Sequence, residues 1–570
     1  MAEEVWMLQT KKADFKQIGA RFRIDPVTAR IIRNRGLEGE AAIDRYLNGT
    51  LDDLYDPMLL KDMERAVSIL CEAVDTGKKI RIVGDYDIDG VCSTYILLQA
   101  FERLGSDVDF EIPDRIKDGY GINESIIEQA HADGVEVILT CDNGISAFHQ
   151  VELAKKYGMT VVITDHHEVP LDGEKEKIPP ADAVIDPKQA DCPYPFPEIC
   201  GAVVAYKLVQ VLYARRGVPQ MEWLDLLEFA AIATVGDVMK LQDENRILVK
   251  YGLKKMAQTK NLGLRRLAEK NNLDLGAITA YHIGFVIGPC LNAGGRLKTA
   301  KEALALLRAQ SEEEAERLAE ELKELNDTRK DMTEQGTEAA KLQVESWYQK
   351  DKVLVVFLPE CHESLAGIIA GRLREYYQKP AIVLTRGEEA VKGSGRSIDE
   401  YHMFKKLTEV SDLLLKFGGH PLAAGLSLEE KNIDEFRRRL NENAGLTEED
   451  FKAKVWIDVP MPVGYVTERL VRELSCLEPF GQGNEKPLFA EKSLRIRASR
   501  VLGRNRNVVK MTLEETDGHA IEALYFGDGT AFEEERAGRR EIDVVYYPDI
   551  NEYNGRKTLQ AVIRRYKFRG

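Results

Sequence analysis

The 570-residue chain has no CxxC pair, no apolar run of transmembrane length and no basic, apolar leader. Its eight cysteines (71, 92, 141, 192, 200, 290, 361 and 476) are scattered, which argues against a thiolate zinc site and a disulfide framework. They read as small core residues of a reduced, cytoplasmic protein. The opening Met1-Ala2-Glu3-Glu4-Val5-Trp6 is not a secretory pattern, and no membrane association is expected. The Gly-rich stretch 288–297 lacks the Lys-Ser/Thr of a P-loop and sits in no dinucleotide fingerprint. The net charge of −16 argues against broad, nonspecific nucleic-acid binding, but a local basic channel stays open because such a footprint is a patch, not a sum. At 44% hydrophobic and 31% charged, the chain has an ordinary globular composition and length for three or four domains.

What is present is organised around Ile80-Arg81-Ile82-Val83-Gly84-Asp85-Tyr86-Asp87-Ile88-Asp89-Gly90. An apolar alternation predicts a buried strand ending at Gly84, and three carboxylates follow at every second position. One or two such acids would read as a solvated turn; three after a buried strand repel one another unless a cation sits among them. Between 62 and 187, helical and strand patterns alternate, with strands predicted at 79–83, 107–113, 135–140 and 159–164. This repetition predicts a parallel, doubly wound sheet, which binds ligands at the carboxyl ends of its strands. Cys141-Asp142-Asn143-Gly144 follows the third strand, Asp165-His166-His167-Glu168 the fourth, and Gly236-Asp237 closes an apolar helical segment. A lone Asp or His-His has a bland explanation as an exposed loop; the joint occurrence at successive strand ends does not.

Mixed carboxylate and imidazole ligands suit Mn²⁺, with Mg²⁺ as a substitute, and zinc is less favoured without thiolates. Two ions sharing one Asp, about 3.5–4 Å apart, are feasible and serve phosphoester hydrolysis best. An aspartyl phosphotransferase would need a dedicated nucleophile, and none is identifiable.

The remaining stretches supply candidate substrate contacts. Ile112 to Gly121 is turn-rich; Arg115 there can hold a phosphate and Tyr120 can stack on a base or sugar, against an equal case for a plain surface turn. Gly288 to Leu297 reads as a Gly-rich loop before a helix, where Asn292, Arg296 and backbone amides face a phosphate. Residues 300–348 read as an almost continuous charged helix with a narrow stripe (Leu318, Leu322, Leu325), a strut that places Asn326 and Arg329 on the cleft. A second α/β unit follows, with Gly393-Ser394-Gly395-Arg396 and Gly418-Gly419-His420 offering phosphate donors through Ser394, Arg396 and His420. Residues 491–570 read as five short strands, which suits an OB-type barrel. Arg495, Arg497, Arg500, Arg504, Arg506 and Lys510 form a basic cluster there, and Tyr525, Phe526, Tyr546, Tyr547 and Tyr553 lie among the strands. A basic groove with stacking rings fits sequence-tolerant single-strand binding, although some rings must be barrel core.

Asp87-Ile88-Asp89, Asp142-Asn143-Gly144, Asp165-His166-His167 and Gly236-Asp237 resemble, in order and placement, the four motifs of the DHH phosphoesterase superfamily. The resemblance implies two Mn²⁺ or Mg²⁺ ions held by Asp87, Asp89, Asp142, His166 and Asp237, with Asp142 bridging and His167 facing the scissile phosphate. Many relatives carry a His upstream of the first acids; Val83 stands there and Asp85 is its stand-in as a ligand. The Gly-Gly-His segment is similar to the DHHA1-type accessory domain, which implies that His420 clamps substrate.

The resulting expectation is an α/β multidomain protein: a doubly wound parallel-sheet DHH domain at 61–260 after an accessory segment at 1–60, a helical extension and connecting helix at 261–348, a smaller DHHA1-type domain at 349–455, and an OB-type nucleic-acid-binding barrel at 456–570. With the Pro479-Phe480-Gly481-Gln482-Gly483-Asn484 junction, this order resembles superfamily members that degrade single-stranded DNA from the 5′ end in recombination and repair. That resemblance implies a monomer, with single-strand-binding protein and a RecQ-type helicase as partners. The alternatives are a hydrolase of short oligoribonucleotides or dinucleotides, against which the basic tail speaks, and a noncatalytic single-strand-binding scaffold, which predicts lost metal ligands.

Overall fold

A computed structural model describes residues 4–553 and 555–569; Met1–Glu3 and the side chain of Tyr553 lie outside the described residues. The chain divides into two compact units, residues 54–240 with 244–453, and residues 4–53 with 241–243 and 454–570. No described helix is long and apolar enough to cross a membrane.

The first unit holds two five-stranded sheets. The first comprises β1 (Ile80–Val83), β2 (Val108–Glu111), β3 (Val137–Cys141), β4 (Thr160–Thr164) and β5 (Ala183–Ile185), in the order β2-β1-β3-β4-β5 with every pair parallel. β1 and β3 are fully buried, as expected for strands covered on both faces. Helix α1 (Ile88–Arg103) follows β1, α2 (Glu124–Ala132) follows β2, and α3 (Phe148–Lys156) follows β3. Further on, α4 (Gly201–Arg216) and α5 (Leu227–Gly236) are buried over most of their length, with a short helix at Gln220–Leu224 between them.

Residues 288–297 form not a loop but helix α6 (Gly288–Leu297), entered through a π-helical turn at Ile283–Ile287. Its glycines serve close approach rather than turning: a Cβ on Gly295 would lie 2.3 Å from the Tyr86 carbonyl oxygen, and one on Gly294 2.8 Å from that of Thr299. The expected strut at 300–348 is two helices, α7 (Lys301–Arg308) and α8 (Glu312–Gln343). The break falls where Ser311 caps α8 by accepting from the Glu314 N–H, with Glu312, Glu313 and Glu314 complementing the positive helix end.

The second sheet of this unit contains β6 (Leu354–Phe357), β7 (Ala381–Arg386), β8 (Val391–Arg396), β9 (Leu414–Gly419) and β10 (Ala423–Leu428), ordered β9-β10-β8-β7-β6. Only its β6–β7 pair is parallel, with α9 (Ala366–Tyr377) as the crossover. Gly393 lies within β8 because a Cβ there would meet Leu384 Cδ2 at 2.5 Å.

In the second unit, β11 (Phe489–Leu502), β12 (Val508–Glu514), β13 (Ala520–Phe526), β14 (Glu541–Tyr553) and β15 (Arg556–Arg569) run in the order β11-β12-β13-β15-β14, and β14 pairs back onto β11 to close a barrel. Helix α10 (Gly529–Arg536), not anticipated from the sequence, contributes the fully buried Phe532 to the barrel core. The segment read as an accessory lead belongs to this unit: Ile31, Ile32, Ile43 and Tyr46 share the barrel's core cluster. Asp25 caps the helix Pro26–Asn34, as its position predicts, by accepting from Val27 N–H at 2.8 Å.

Candidate metal centre and substrate cleft

Strand register explains why the acids converge. Val83 pairs with Thr140, and Cys141, Thr164 and Ile185 are aligned across β3, β4 and β5. The chain therefore leaves the sheet at one level on four neighbouring strands, and Asp85, Asp142, Asp165 and Asp186 stand just beyond it. In a sheet of order β2-β1-β3-β4-β5, the gap between the ends of β1 and β3 is where connections diverge to opposite faces, the usual ligand crevice.

Local structure then aims each carboxylate. Asp87 caps α1, accepting from the N–H groups of Asp89 (2.9 Å) and Gly90 (3.1 Å). Asp89 is gripped by the start of α4, its two oxygens each 2.7 Å from the amides of Gly201 and Ala202. Asp85 accepts from Gly121 N–H at 3.2 Å. Asp142 holds a left-handed φ of 61°, uncommon outside glycine and typical of strained functional positions. Asn143, fully buried, ties this turn to the sheet by donating to the carbonyls of Val83 and Cys141. Asp237 stands at the C-terminal end of α5.

His166 Nε2 lies 3.1 Å from Asp142 Oδ1, 3.4 Å from Asp89 Oδ2 and 3.8 Å from Asp237 Oδ2. Ligand atoms of Asp89, His166 and Asp237 form one group within 4.8 Å of one another, those of Asp85, Asp87 and Asp142 a second, and those of Asp142, His166 and His167 a third. Asp142 thus reaches both the Asp85–Asp87 pair and His166, the position a bridging carboxylate needs.

The electrostatics fit a cation. Burial, and then the Asp87 charge, push Asp85 well above the usual carboxylate range; burial and the Asp89 charge push Asp87 up. Burial with the charges of Asp89, Asp87 and Asp85 does the same to Asp142, and burial with Asp89 lifts Asp237 to about 8. Burial depresses His166, favouring the neutral imidazole that can ligate a metal. Asp142 Oδ1 is buried yet accepts no hydrogen bond among the described residues. Divalent cations among these oxygens would remove both the repulsion and the orphaned acceptor.

His167 is fixed differently. Its Nδ1 lies 2.7 Å from Asp165 Oδ1, and the fully buried Asp165 also accepts from the N–H groups of Ile145 and His166. Burial works against a charged His167, but the Asp165 bond and charge outweigh it and raise the imidazole to about 9. Tyr120 donates to the Asp142 carbonyl at 2.9 Å and sets its ring edge-on to His167, at 5.4 Å between centroids. Asp186, missed in the sequence, backs this arrangement: burial and then the Asp165 charge raise it to about 7. Its signal was Ala183-Val184-Ile185-Asp186, one more apolar strand ending in Asp.

Beside the acids is a cleft of about 460 Å³ that is cationic on balance, with Arg115, Arg296, Arg372 and Arg396 on its walls against Glu363 and Glu375. The Arg115 guanidinium stacks 4.8 Å over Tyr86, the residue between Asp85 and Asp87. Burial, then the charges of Arg115 and Arg329, depress Arg296 to about 10, and burial with Arg115 lowers Arg396. Guanidiniums that repel one another in a buried cleft form an anion site. Gly367 makes room for them, since a Cβ there would lie 2.8 Å from Ser394 Oγ. Asn292 and Arg329 join Arg296 around a smaller cavity, while Asn326 is buried beneath, accepting from Arg329 Nε. His420 is exposed at the end of β9; its charge helps hold Glu168 down, after the Lys188 bond, and it enters none of the metal groups.

In the barrel, Arg495, Arg497, Arg504 and Arg506 are exposed, but the expected free basic cluster is partly neutralised across strands. Arg497 makes a two-pronged bond to Glu514, Lys510 pairs with Glu522, and Arg506 Nε donates to Thr530. Tyr546 is core, Tyr525 packs on Phe532 and Tyr566, Tyr547 faces Lys486 and Arg564, and Phe526 is exposed.

Models of known families match residues 79–234 (DHH family, N-terminal domain), 350–445 (DHHA1 domain) and 457–565 (RecJ OB domain). The chain is 36% identical over 564 residues to the single-stranded-DNA-specific exonuclease RecJ of Bacillus subtilis, covering 98% of this chain and 70% of that protein. It is 34% identical to the Escherichia coli protein of the same name, covering 95% of each. Its structure superposes on crystalline Thermus thermophilus RecJ in complex with Mn²⁺ with a TM-score of 0.84 at 28% identity, over 99% of this chain and 80% of that one; the same protein has been solved with Mg²⁺.

Proposed function

The chain belongs to the RecJ family, and from that premise we propose that it is a single-stranded-DNA-specific exonuclease, removing mononucleotides in the 5′ to 3′ direction by two-metal phosphodiester hydrolysis during recombination and repair. The observation that carries the reading is the pair of ligand groups joined through Asp142 and set against a cleft of guanidiniums. Asp85, Asp87 and Asp142 would hold one ion and Asp89, His166 and Asp237, with Asp142, the other, Mn²⁺ for preference and Mg²⁺ as a substitute. Such ions lower the pKa of water and offset charge on the phosphoryl group.

The chain's own groups do the rest. Asp165 holds Nδ1 of His167, so Nε2, whose neighbour is the Tyr120 hydroxyl at 3.3 Å, donates to the scissile phosphate. Arg115, Arg296, Ser394 and Arg396 clamp the phosphate of the terminal nucleotide, which sets the reacting bond over the acids. Tyr120 holds the His167 ring edge and the Asp142 backbone in one arrangement. Arg495 and Arg504, exposed on the barrel, contact the backbone of the incoming strand, and Asn292 and His420 contribute polar contacts along the cleft.

The test is purified protein with Mn²⁺ and single-stranded DNA labelled at one end or the other. Immediate release of mononucleotide from a 5′ label, with duplex and RNA spared, is expected. Degradation confined to very short RNA would replace this reading with the small-substrate one. Asp142→Ala is expected to abolish hydrolysis while leaving strand binding largely intact; equal loss of both would overturn the bridging role.

A further inference from the structure

The short helix Ala280–His282 and the π-helical turn that follows it, just before α6, carry a feature with no part in the chemistry above. Tyr281 and Phe285, one turn apart, stack on each other at 4.7 Å between ring centroids with 28° between planes, and they are 63% and 67% exposed. A single exposed aromatic ring is ordinary; a stacked, solvent-facing pair is a platform. It adjoins a cavity that shares Arg296 with the cationic cleft, because Phe285 directly follows Gly284, which lines that cavity. Gly284, Gly288, Asn292 and Arg296 succeed one another at intervals of four residues and line one cavity, with Gly236 and Arg329 on its other sides.

That cavity borders the segment carrying Asp237, because Gly236, which lines it, directly precedes Asp237 and Gly284 packs toward Val235. Gly284 presents no side chain on this stripe, whereas Gly288 is packed closely, a Cβ there lying 2.9 Å from the Ile283 carbonyl oxygen. From Arg296 to Gly284 the stripe runs roughly 18 Å along the helix axis, and Phe285 follows Gly284 about 100° further round it. The rim beyond Asp237 is itself strained: the β-branched Val238 holds a left-handed φ of 58° and is 65% exposed. A π-helical turn at this point is a further mark of a functional site.

We propose that Tyr281 and Phe285 form a stacking subsite for an unpaired nucleobase of the strand, a short distance 3′ of the bond being cut. The inference rests on the exonuclease reading and deepens it. The rings take any base, since every base has a π face, but they need one that is not already stacked and paired within a duplex. The subsite therefore adds affinity without sequence preference and favours single strands.

Phe285→Ala and Tyr281→Ala are expected to raise KM for a 5′-phosphorylated oligothymidylate about 5- to 150-fold, the range for loss of one base–aromatic stack, with kcat much less affected. Phe285→Trp should restore KM to near the wild-type value. In the wild type, one abasic residue walked from the 5′ end should raise KM at one position or two adjacent ones, and this position dependence should vanish in Phe285→Ala. Fluorescence anisotropy of the same strand in Ca²⁺ reads binding apart from cleavage. A protein that binds and cuts with no loss in either alanine variant and no abasic position dependence overturns the subsite alone. A wild-type protein that neither binds nor cuts single strands overturns the exonuclease reading with it.

Discussion

Gly201→Ala tests the metal centre without replacing a ligand. Gly201 opens α4, and its N–H is held 2.7 Å from Asp89 Oδ2. A Cβ there would lie 2.7 Å from Asp142 Cβ and 2.9 Å from Asp142 Cα, whereas ordinary contact begins at 3.4 Å, so the segments must part by about 0.7 Å. Neither side yields cheaply. Asp142 is 2% exposed and already in the left-handed region, and α4 is tied through its first two amides to Asp89. The displacement therefore falls on Asp142 and Asp89, which serve different ligand groups. Misplacement on the order of an ångström costs roughly 100-fold in rate, and overpacking costs about 1–3 kcal/mol of stability. The assay is steady-state release of nucleotides from single-stranded DNA across a Mn²⁺ titration, paired with melting curves with and without the ion. The expected result is kcat lower by about 100-fold, half-saturation shifted to higher Mn²⁺, and a melt that stays cooperative but gains less from the ion. A kcat within twofold of wild type with an unshifted Mn²⁺ midpoint would refute the reasoning.

Two further predictions address other parts of the molecule. Glu228, 3% exposed and with one carboxyl oxygen lacking a hydrogen bond, is raised by burial from 4.5 to about 7. The folded state then holds this proton more tightly than the unfolded one, so stability falls as pH rises from about 4.5 through 7, by up to about 3 kcal/mol. Glu228→Gln should flatten that part of the melting-temperature profile, and parallel profiles for variant and wild type would contradict the assignment. In the barrel, Arg504→Ala should reduce the salt dependence of strand binding by about one phosphate contact, while Arg497→Ala should change it little because Glu514 already engages that guanidinium. Equal slopes for the two variants would count against the distinction.

The sequence by itself determined the class of chemistry and the order of the parts. Carboxylates after buried strands can be read without a fold, because desolvation and repulsion make three close acids improbable unless a cation joins them, and strand-helix alternation places those acids at one sheet edge. The same local rules found the five barrel strands.

What only the tertiary structure decided depends on which chains approach one another. Gly288 to Leu297 looks like a loop because local propensity penalises glycine in helices, yet it is helical, since Gly295 must pass the Tyr86 carbonyl. Arg497 looks free because its neighbours in sequence are basic, but its partner Glu514 arrives on the adjacent strand. The N-terminal helices joined the barrel core for the same reason: an amphipathic face specifies that it will be buried, not against what. Asp186, Tyr281 and Phe285 gained their meaning only when strand register set Asp186 beside Asp165 and helix phase stacked the two exposed rings next to Gly284, which opens the stripe leading to Arg296. Local physical chemistry fixes what a residue can do; three-dimensional proximity fixes with which partner it does it.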